Sequence, residues 1–129
     1  MKLVFDIDPV PASRPRVMRW ATYYNKTYQQ FREDMDKLLL GYRGTLIAKP
    51  IRTDVTFWMS FPASYSKKKR DELVGKYYVG VCDLDNLEKA IYDSLNGVVW
   101  TDDKQIVEHS TRKKWTEGRG NIEMNIETI

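Results

Sequence analysis

The spacing of apolar residues changes along the chain, and this change constrains the possible folds more than any other feature of the sequence. Some segments alternate with the two-residue period of a strand, whereas others repeat at helical spacing. The predicted strands are residues 2–8, 51–60, 105–115 and 121–129, and the predicted helices are residues 24–40, 67–74 and 85–95. The resulting order, β-α-β-α-α-β-β, predicts an α+β fold in which a small mixed β-sheet carries packed helices.

Local signals support the ends of these segments. Three prolines between residues 9 and 15 forbid regular pairing and predict an extended loop after the first strand. Ser66 and Asp85 are the predicted N-caps of the second and third helices, and Asn96-Gly97 is the predicted stop of the third. The turn at 118–120 predicts a hairpin between the last two strands. The apolar positions of the first helix are Tyr28, Phe31, Met35, Leu38 and Leu39.

Length and composition are those of a small folded protein. With 129 residues, 42% hydrophobic and 30% charged, we expect a single domain over residues 1–129. The single cysteine, Cys82, excludes an intrachain disulfide framework. Asp6 interrupts what would be the apolar core of a signal peptide, and no segment approaches the ~20 apolar residues of a membrane span. We therefore expect a cytoplasmic protein without a membrane partner.

The charge is unevenly distributed. Residues 83–103 hold six acidic side chains against one basic side chain, a local charge of −5 in a chain whose net charge is +3. The remainder therefore carries +8. A nuclease needs such a division, because metal ions bind carboxylates while phosphates bind lysine and arginine. The alternative is that these charges only solvate the protein surface.

The acidic segment has the spacing of a metal site. In an extended backbone Asp83 and Asp85 project to the same side, where two carboxylates can share a cation. In the helix that follows, Lys89 lies four residues from Asp85 and therefore beside it. A turn then returns Asp102 and Asp103, so that a third carboxylate completes a set suited to Mg²⁺. The apolar face of this helix is predicted to be Leu87, Ala90, Ile91, Ser94 and Leu95, opposite Asp85, Lys89 and Asp93.

A structural interpretation of the same residues stays open. Asp85 would then be only a helix cap, Lys89 an exposed ion-pair partner, and Asp102-Asp103 an ordinary acidic turn.

This segment resembles the signature of the RusA family of Holliday-junction resolvases. The resemblance rests on Asp-Leu-Asp-Asn-Leu-x-Lys at 83–89, Asp-x-Leu at 93–95 and Gly-Val-Val-Trp-x-Asp-Asp-x-Gln-Ile at 97–106. The opening strand, the loop rich in proline and arginine, and the predicted closing hairpin are similar to the family's layout. One departure is Val81-Cys82, since members often carry a basic residue or Lys-Pro before the first aspartate.

The resemblance implies a RusA-like fold and a homodimeric endodeoxyribonuclease, in which Mg²⁺, or Mn²⁺ as a substitute, supports paired symmetric nicks in four-way DNA junctions. Asp83, Asp85 and Asp103 would bind the metal, Lys89 would be the catalytic lysine, and Asp102 is the alternative to Asp103. Many members are encoded by phages or prophages, so the resemblance also implies recombination and repair in a bacterial cell or a phage-infected bacterium.

Three basic segments are candidate DNA-binding surfaces, because cationic side chains can follow a phosphate backbone. Aromatic residues near the first segment, Trp20, Tyr23 and Tyr24, add stacking or wedge surfaces. For each segment the alternative is a solvated face. The candidates are Arg14, Arg16 and Arg19; Lys67, Lys68, Lys69 and Arg70; and Arg112, Lys113 and Lys114.

Other reactive residues carry no prediction of catalysis. For His109 and Cys82 we predict structural or exposed roles, and for Trp20, Trp58, Trp100 and Trp115 we favour packing over base contact. Two rival functions remain: a structure-selective nuclease acting on forks or other branched DNA, and a non-catalytic junction-binding protein. A small adaptor is disfavoured by the separation of acidic from basic segments.

Overall fold

The computed structural model describes residues 1–13 and 25–129, together with the backbone of Arg16–Val17 and Thr22–Tyr23. Two units are formed, each from separate stretches of sequence. The sheet unit comprises Met1–Pro9, Lys49–Val81 and Lys104–Ile129, and the helix unit comprises Val10–Ala48 and Cys82–Asp103. The prediction of a single domain over residues 1–129 stays a prediction.

The α+β class is confirmed. The strands are β1 (Lys2–Phe5), β2 (Arg16–Val17), β3 (Thr22–Tyr23), β4 (Ile51–Ser60), β5 (Ile106–Thr116) and β6 (Asn121–Thr128). The helices are α1 (Lys26–Leu39), α2 (Lys67–Leu73) and α3 (Leu84–Leu95), and a 3₁₀ turn spans Asp103–Gln105.

The sheet unit contains a four-stranded sheet in the order β1-β6-β4-β5. β4 pairs with β5 in parallel and with β6 antiparallel, so the sheet is mixed, as predicted. The predicted hairpin between β5 and β6 is wrong, because β4 lies between them. A parallel pair needs a long crossover, and residues 61–105 supply it.

The central position of β4 follows from its side chains. Along this strand, Ile51, Thr53, Val55 and Phe57 alternate with more exposed residues and have no exposed surface. One face of β4 packs against the core, and β4 provides the most continuous buried row in the sheet. The neighbouring strands add Phe5, Trp115, Ile122, Met124 and Ile126.

The helix unit contains α1 and α3 together with the short β2–β3 pair. Asn25 caps α1, since its Oδ1 accepts a hydrogen bond from the Thr27 amide at 2.8 Å. The predicted buried positions Tyr28, Phe31, Met35 and Leu39 are confirmed. Leu38, the fifth apolar position, is 43% exposed, because at 100° per residue it lies at the edge of the buried stripe, just outside Phe31.

The predicted N-cap of α2 and the predicted C-terminal ends of α2 and α3 are confirmed to within one residue. Ser66 caps α2, its Oγ accepting from the Lys69 amide at 3.2 Å. Gly75 and Gly97 follow α2 and α3 with φ of +79° and +77°, a conformation that favours glycine. Within the described ranges, no helix has the length and apolar character needed to cross a membrane.

Candidate active site

The N-terminus of α3 places Asp83 and Asp85 differently from the prediction. Asp83, not Asp85, is the N-cap, with extended backbone at φ −73° and ψ 137°. Asp85 lies within the first helical turn. Asp83 and Asp85 therefore do not project to one side of an extended strand, because the backbone is already helical at Leu84.

The Asp83 carboxylate makes no hydrogen bond to the first-turn amides of α3, although an aspartate at this position ordinarily does. Both Asp83 and Asp85 are exposed. Asp85 lies where the partial positive charge of the helix N-terminus favours a carboxylate. The start of α3 thus presents two carboxylates to solvent, and the first of them is not used to cap the helix.

The two faces of α3 divide as predicted. Leu87, Ala90, Ile91, Ser94 and Leu95 are all buried, and Glu88 and Tyr92 are buried as well. On the opposite face, the Lys89 Nζ lies 3.1 Å from the Asp93 Oδ2, forming an i,i+4 ion pair. The structure thus pairs this lysine with Asp93, one turn towards the C-terminus. From the sequence, Asp85 was the carboxylate predicted to lie beside Lys89.

The surroundings of Lys89 favour its charged form. The hydrogen bond that Lys89 donates to Asp93 is the largest cause of its raised pKa, followed by the charge of Asp93, while partial desolvation opposes the shift. The charge of Asp103 also raises the pKa, so Asp103 lies within electrostatic reach of Lys89. Because the shift is upward, Lys89 is a cation at neutral pH and is suited to stabilising negative charge rather than to accepting a proton.

Asp103 begins the 3₁₀ turn and is only partly exposed, whereas the adjacent Asp102 is exposed. The Asn96 Nδ2 donates to the Asp103 Oδ2 at 3.5 Å, at the long end for a hydrogen bond. The Asn96 Oδ1 in turn accepts from the Trp100 Nε1 at 2.6 Å. Two hydrogen bonds through the Asn96 side chain therefore connect Asp103 to the buried Trp100. From the sequence, Asn96 was predicted only to end α3.

The first loop joins the helix unit beside this site. The Ala12 amide donates to the Asn86 carbonyl in the first turn of α3 at 2.9 Å. The arginine-bearing segment begins two residues later. Of its residues, Arg14, Arg19, Trp20 and Tyr24 lie outside the described residues, and Arg16 and Tyr23 are described only as backbone partners of the β2–β3 pair.

The donor set fits a hard cation in its chemistry. Asp83, Asp85 and Asp103 offer only carboxylate oxygens, the ligands that Mg²⁺ prefers, and Mg²⁺ commonly takes one or two protein carboxylates together with substrate phosphates. Among the residues that the structure describes, no three His, Cys, Asp or Glu side chains are grouped closely enough to hold a metal ion. The three-carboxylate set stays a prediction.

The predicted DNA-binding residues of the sheet unit differ in how far other groups engage them. Lys67 and Lys68 are exposed on α2, whereas the Lys69 Nζ lies 3.8 Å from the centre of the Tyr65 ring. Arg112 is the most constrained: its guanidinium donates to Asp54 at 2.6 Å, and also to Thr56 and Ser110. Arg70 is partly buried, and Lys113 and Lys114 lie over the rings of Tyr78 and Tyr77.

The remaining residues mostly follow the sequence analysis. Trp100 and Trp115 are buried, and Trp115 stacks on Phe61 with ring centroids 4.8 Å apart, so packing is confirmed for both. Trp58 is partly exposed and donates to Glu123. His109 is exposed on β5.

Comparison with known proteins identifies the family. The model of the family described as "Endodeoxyribonuclease RusA" matches residues 6–127, nearly the whole chain. The chain belongs to the RusA endodeoxyribonuclease family. It is also 32% identical over 77 residues to the "Uncharacterized protein YqaN" of Bacillus subtilis (strain 168), a match covering 57% of this chain. That match spans 54% of the length of the relative, about half.

Proposed function

We propose that the protein is a Mg²⁺-dependent endodeoxyribonuclease that resolves Holliday junctions by paired symmetric nicks. The observation that carries this proposal is the family match, whose range, residues 6–127, spans the four residues predicted to act. These residues are Asp83, Asp85, Lys89 and Asp103, and all lie in the helix unit. The exposure of Asp83, Asp85 and Lys89, and the absence of a capping hydrogen bond to the Asp83 carboxylate, support a role at the surface where DNA would bind.

The three aspartates share one proposed task, and Lys89 has another. Asp83, Asp85 and Asp103 would hold Mg²⁺, with Mn²⁺ as a substitute, and the bound ion would activate water and neutralise charge on the phosphate. Lys89, whose pKa is raised by the hydrogen bond to Asp93, would stabilise the charge that develops on the phosphate during cleavage. The partial burial of Asp103 and its hydrogen bond from Asn96 support Asp103 over Asp102 as the third ligand.

The proposed substrate indicates the oligomeric state of the protein and where in the cell it acts. A four-way junction has two equivalent strands to cut, so a two-fold homodimer with one site in each protomer matches its symmetry. Substrates of this kind arise in recombination and repair, and we expect the protein to meet them in the bacterial cytoplasm.

Cleavage of a labelled four-way junction with and without Mg²⁺ tests the proposal. We expect nicks in wild-type protein with Mg²⁺ and none in Asp83→Asn, whereas Asp36→Asn, which changes an exposed aspartate on α1, keeps wild-type activity. Comparing Asp102→Asn with Asp103→Asn separates the two candidate third ligands. Tight junction binding without a Mg²⁺-dependent product would instead identify a non-catalytic junction-binding protein.

Further substrates test the specificity and the pairing of the nicks. Equal cleavage of forks, flaps and junctions would favour a structure-selective nuclease over a dedicated resolvase. A cruciform plasmid tests the pairing of the nicks, because it becomes linear only when both strands are cut during one binding event. Accumulation of singly nicked circles would contradict paired cleavage.

A further inference from the structure

A buried tryptophan determines which way the Asn96 amide points. The indole Nε1 of Trp100 is only a donor, so the Asn96 atom 2.6 Å away must be the acceptor Oδ1. The other end of the amide, Nδ2, therefore faces Asp103. The reversed amide would place two donors together and would turn an oxygen towards a carboxylate.

The backbone around Asn96 limits its movement. Asn96 is the C-cap of α3, and its own amide donates to the Tyr92 carbonyl at 3.1 Å. The Gly97 amide donates to the Trp100 carbonyl at 2.7 Å, closing the loop that joins the two side chains. Trp100 has no exposed surface and meets the Tyr92 ring edge-on, with centroids 5.8 Å apart. Asn96 is thus anchored on the side away from Asp103.

We propose that Asn96 is a positioning residue for the Asp103 carboxylate. The inference rests on the proposed function, in which Asp103 binds the metal ion. The positive end of the fixed amide dipole restricts the rotation of Asp103 and stabilises its charge within reach of Lys89. Groups that hold a metal ligand in this way commonly contribute about 10-fold or more to metal affinity.

Two substitutions separate positioning of Asp103 from simple support of Trp100. Asn96→Leu keeps a side chain of similar size and removes both hydrogen bonds. Trp100→Phe removes only the bond to the indole and leaves the Asn96 Nδ2 present. Support of Trp100 is lost in both variants, whereas the donor to Asp103 is lost only in Asn96→Leu.

The test is Mn²⁺ binding to the protein alone, followed by the loss of the free-ion electron paramagnetic resonance signal. We expect Asn96→Leu to weaken binding about 10-fold and Trp100→Phe to weaken it less. The Mg²⁺ concentration for half-maximal junction cleavage should rise in parallel in Asn96→Leu, with activity recovering at high Mg²⁺. Thermal unfolding confirms that each variant is folded under assay conditions, and Asn125→Leu, at an exposed position of β6, is the control.

Wild-type affinity in folded Asn96→Leu would overturn the inference, as would an equal loss in Trp100→Phe. If the wild type cleaves junctions and binds Mn²⁺ while either result is found, only the role of Asn96 fails. If the wild type neither cleaves nor binds Mn²⁺, the proposed function fails, and the positioning role fails with it.

Discussion

At the scale of single residues, the charged side chains of the candidate site contribute little to the stability of α3. Asp83 occupies a capping position without capping, and Lys89 is paired with Asp93 on an exposed helix face. Exposed ion pairs contribute little to stability, about 0–1 kcal/mol. Changes to these residues should therefore alter activity far more than the free energy of unfolding.

We expect Asp83→Asn to change the free energy of unfolding by less than about 1 kcal/mol. Asparagine is as good an N-cap as aspartate, and only the interaction of the negative charge with the helix dipole is lost, about 0.3–1 kcal/mol. Urea denaturation measures the difference. A loss well above that range would mean that the Asp83 carboxylate has a structural role that the structure does not indicate.

We expect Lys89→Met to lower the rate of junction cleavage by about 100-fold, the usual effect of removing one group that stabilises developing charge. Asp93→Asn should have a smaller effect, because the ammonium group remains but loses its partner. Single-turnover kinetics at saturating Mg²⁺ measures both variants. A Lys89→Met protein with wild-type kinetics would contradict the role assigned to this lysine.

The pKa of Lys89 also predicts how stability depends on pH. Because the folded-state pKa of Lys89 is raised above the usual lysine value of 10.5, the pair with Asp93 stabilises the fold fully at neutral pH. That contribution is lost only as pH rises through the folded-state pKa. Unfolding of wild type and Asp93→Asn, compared from pH 7 to pH 11, should show a difference that narrows only at the alkaline end.

At the scale of secondary-structure elements, the buried stripe of α1 shows where periodicity alone was insufficient. Met35 and Leu38 both appear as apolar positions in the sequence, but Met35 has no exposed surface while Leu38 is 43% exposed. A short helix with extra apolar residues allows more than one choice of buried face. Contacts with α3 within the helix unit select among them.

The same pair of residues gives a test of the helix register. We expect Met35→Ala to cost about 2–5 kcal/mol of unfolding free energy, because it opens a cavity in a fully buried site. For Leu38→Ala we expect less than about 1 kcal/mol, since much of that side chain is already in water. Thermal or urea unfolding measures both, and equal losses would contradict the orientation of α1.

At the scale of the whole molecule, the acidic and basic residues lie on different elements, and the basic residues differ in whether other protein groups bind them. The acidic segment lies in the helix unit, and the basic candidates on α2 and β5 lie in the sheet unit. These basic residues are not equivalent, because Arg112 is bound to Asp54 whereas Lys67 and Lys68 extend from α2. A count of charges therefore overstates the number of cations available to DNA.

Salt dependence of junction binding distinguishes these cations. In an Asp83→Asn background, used to prevent cleavage, we expect Lys67→Ala and Lys68→Ala each to reduce the slope of log affinity against log salt by about 1. Arg112→Ala should leave the slope nearly unchanged and destabilise the fold instead. A lower slope in Arg112→Ala, together with wild-type slopes in Lys67→Ala and Lys68→Ala, would mean instead that Arg112 contacts DNA and the two lysines do not.

Much of this structure followed from patterns that act over a few residues. Alternation located β1, β4, β5 and β6 but not the short pair β2 and β3, glycines located the ends of α2 and α3, and the order of elements predicted a mixed sheet. The spacing of α3 placed Leu87 and Ile91 on one face and Lys89 on the other. Such features are local, because backbone geometry relates residues that are close in sequence.

Contacts that depend on the tertiary fold could not be predicted from those local patterns. The hairpin prediction failed because β4, and not β5, provides the pairing edge for β6, a competition that spacing does not reveal. The anchoring of Asn96 by Trp100 was missed because nothing in the sequence shows which side chain meets a buried indole.

The acidic segment shows the same division. The sequence by itself determined which carboxylates are available and that Lys89 lies on the helix face opposite the core, since covalent spacing and helical pitch suffice for both. Only the tertiary structure decided that α3 begins at Leu84, that Lys89 pairs with Asp93 and that Asn96 faces Asp103. Those choices depend on which groups become buried, and burial is a property of the folded chain as a whole.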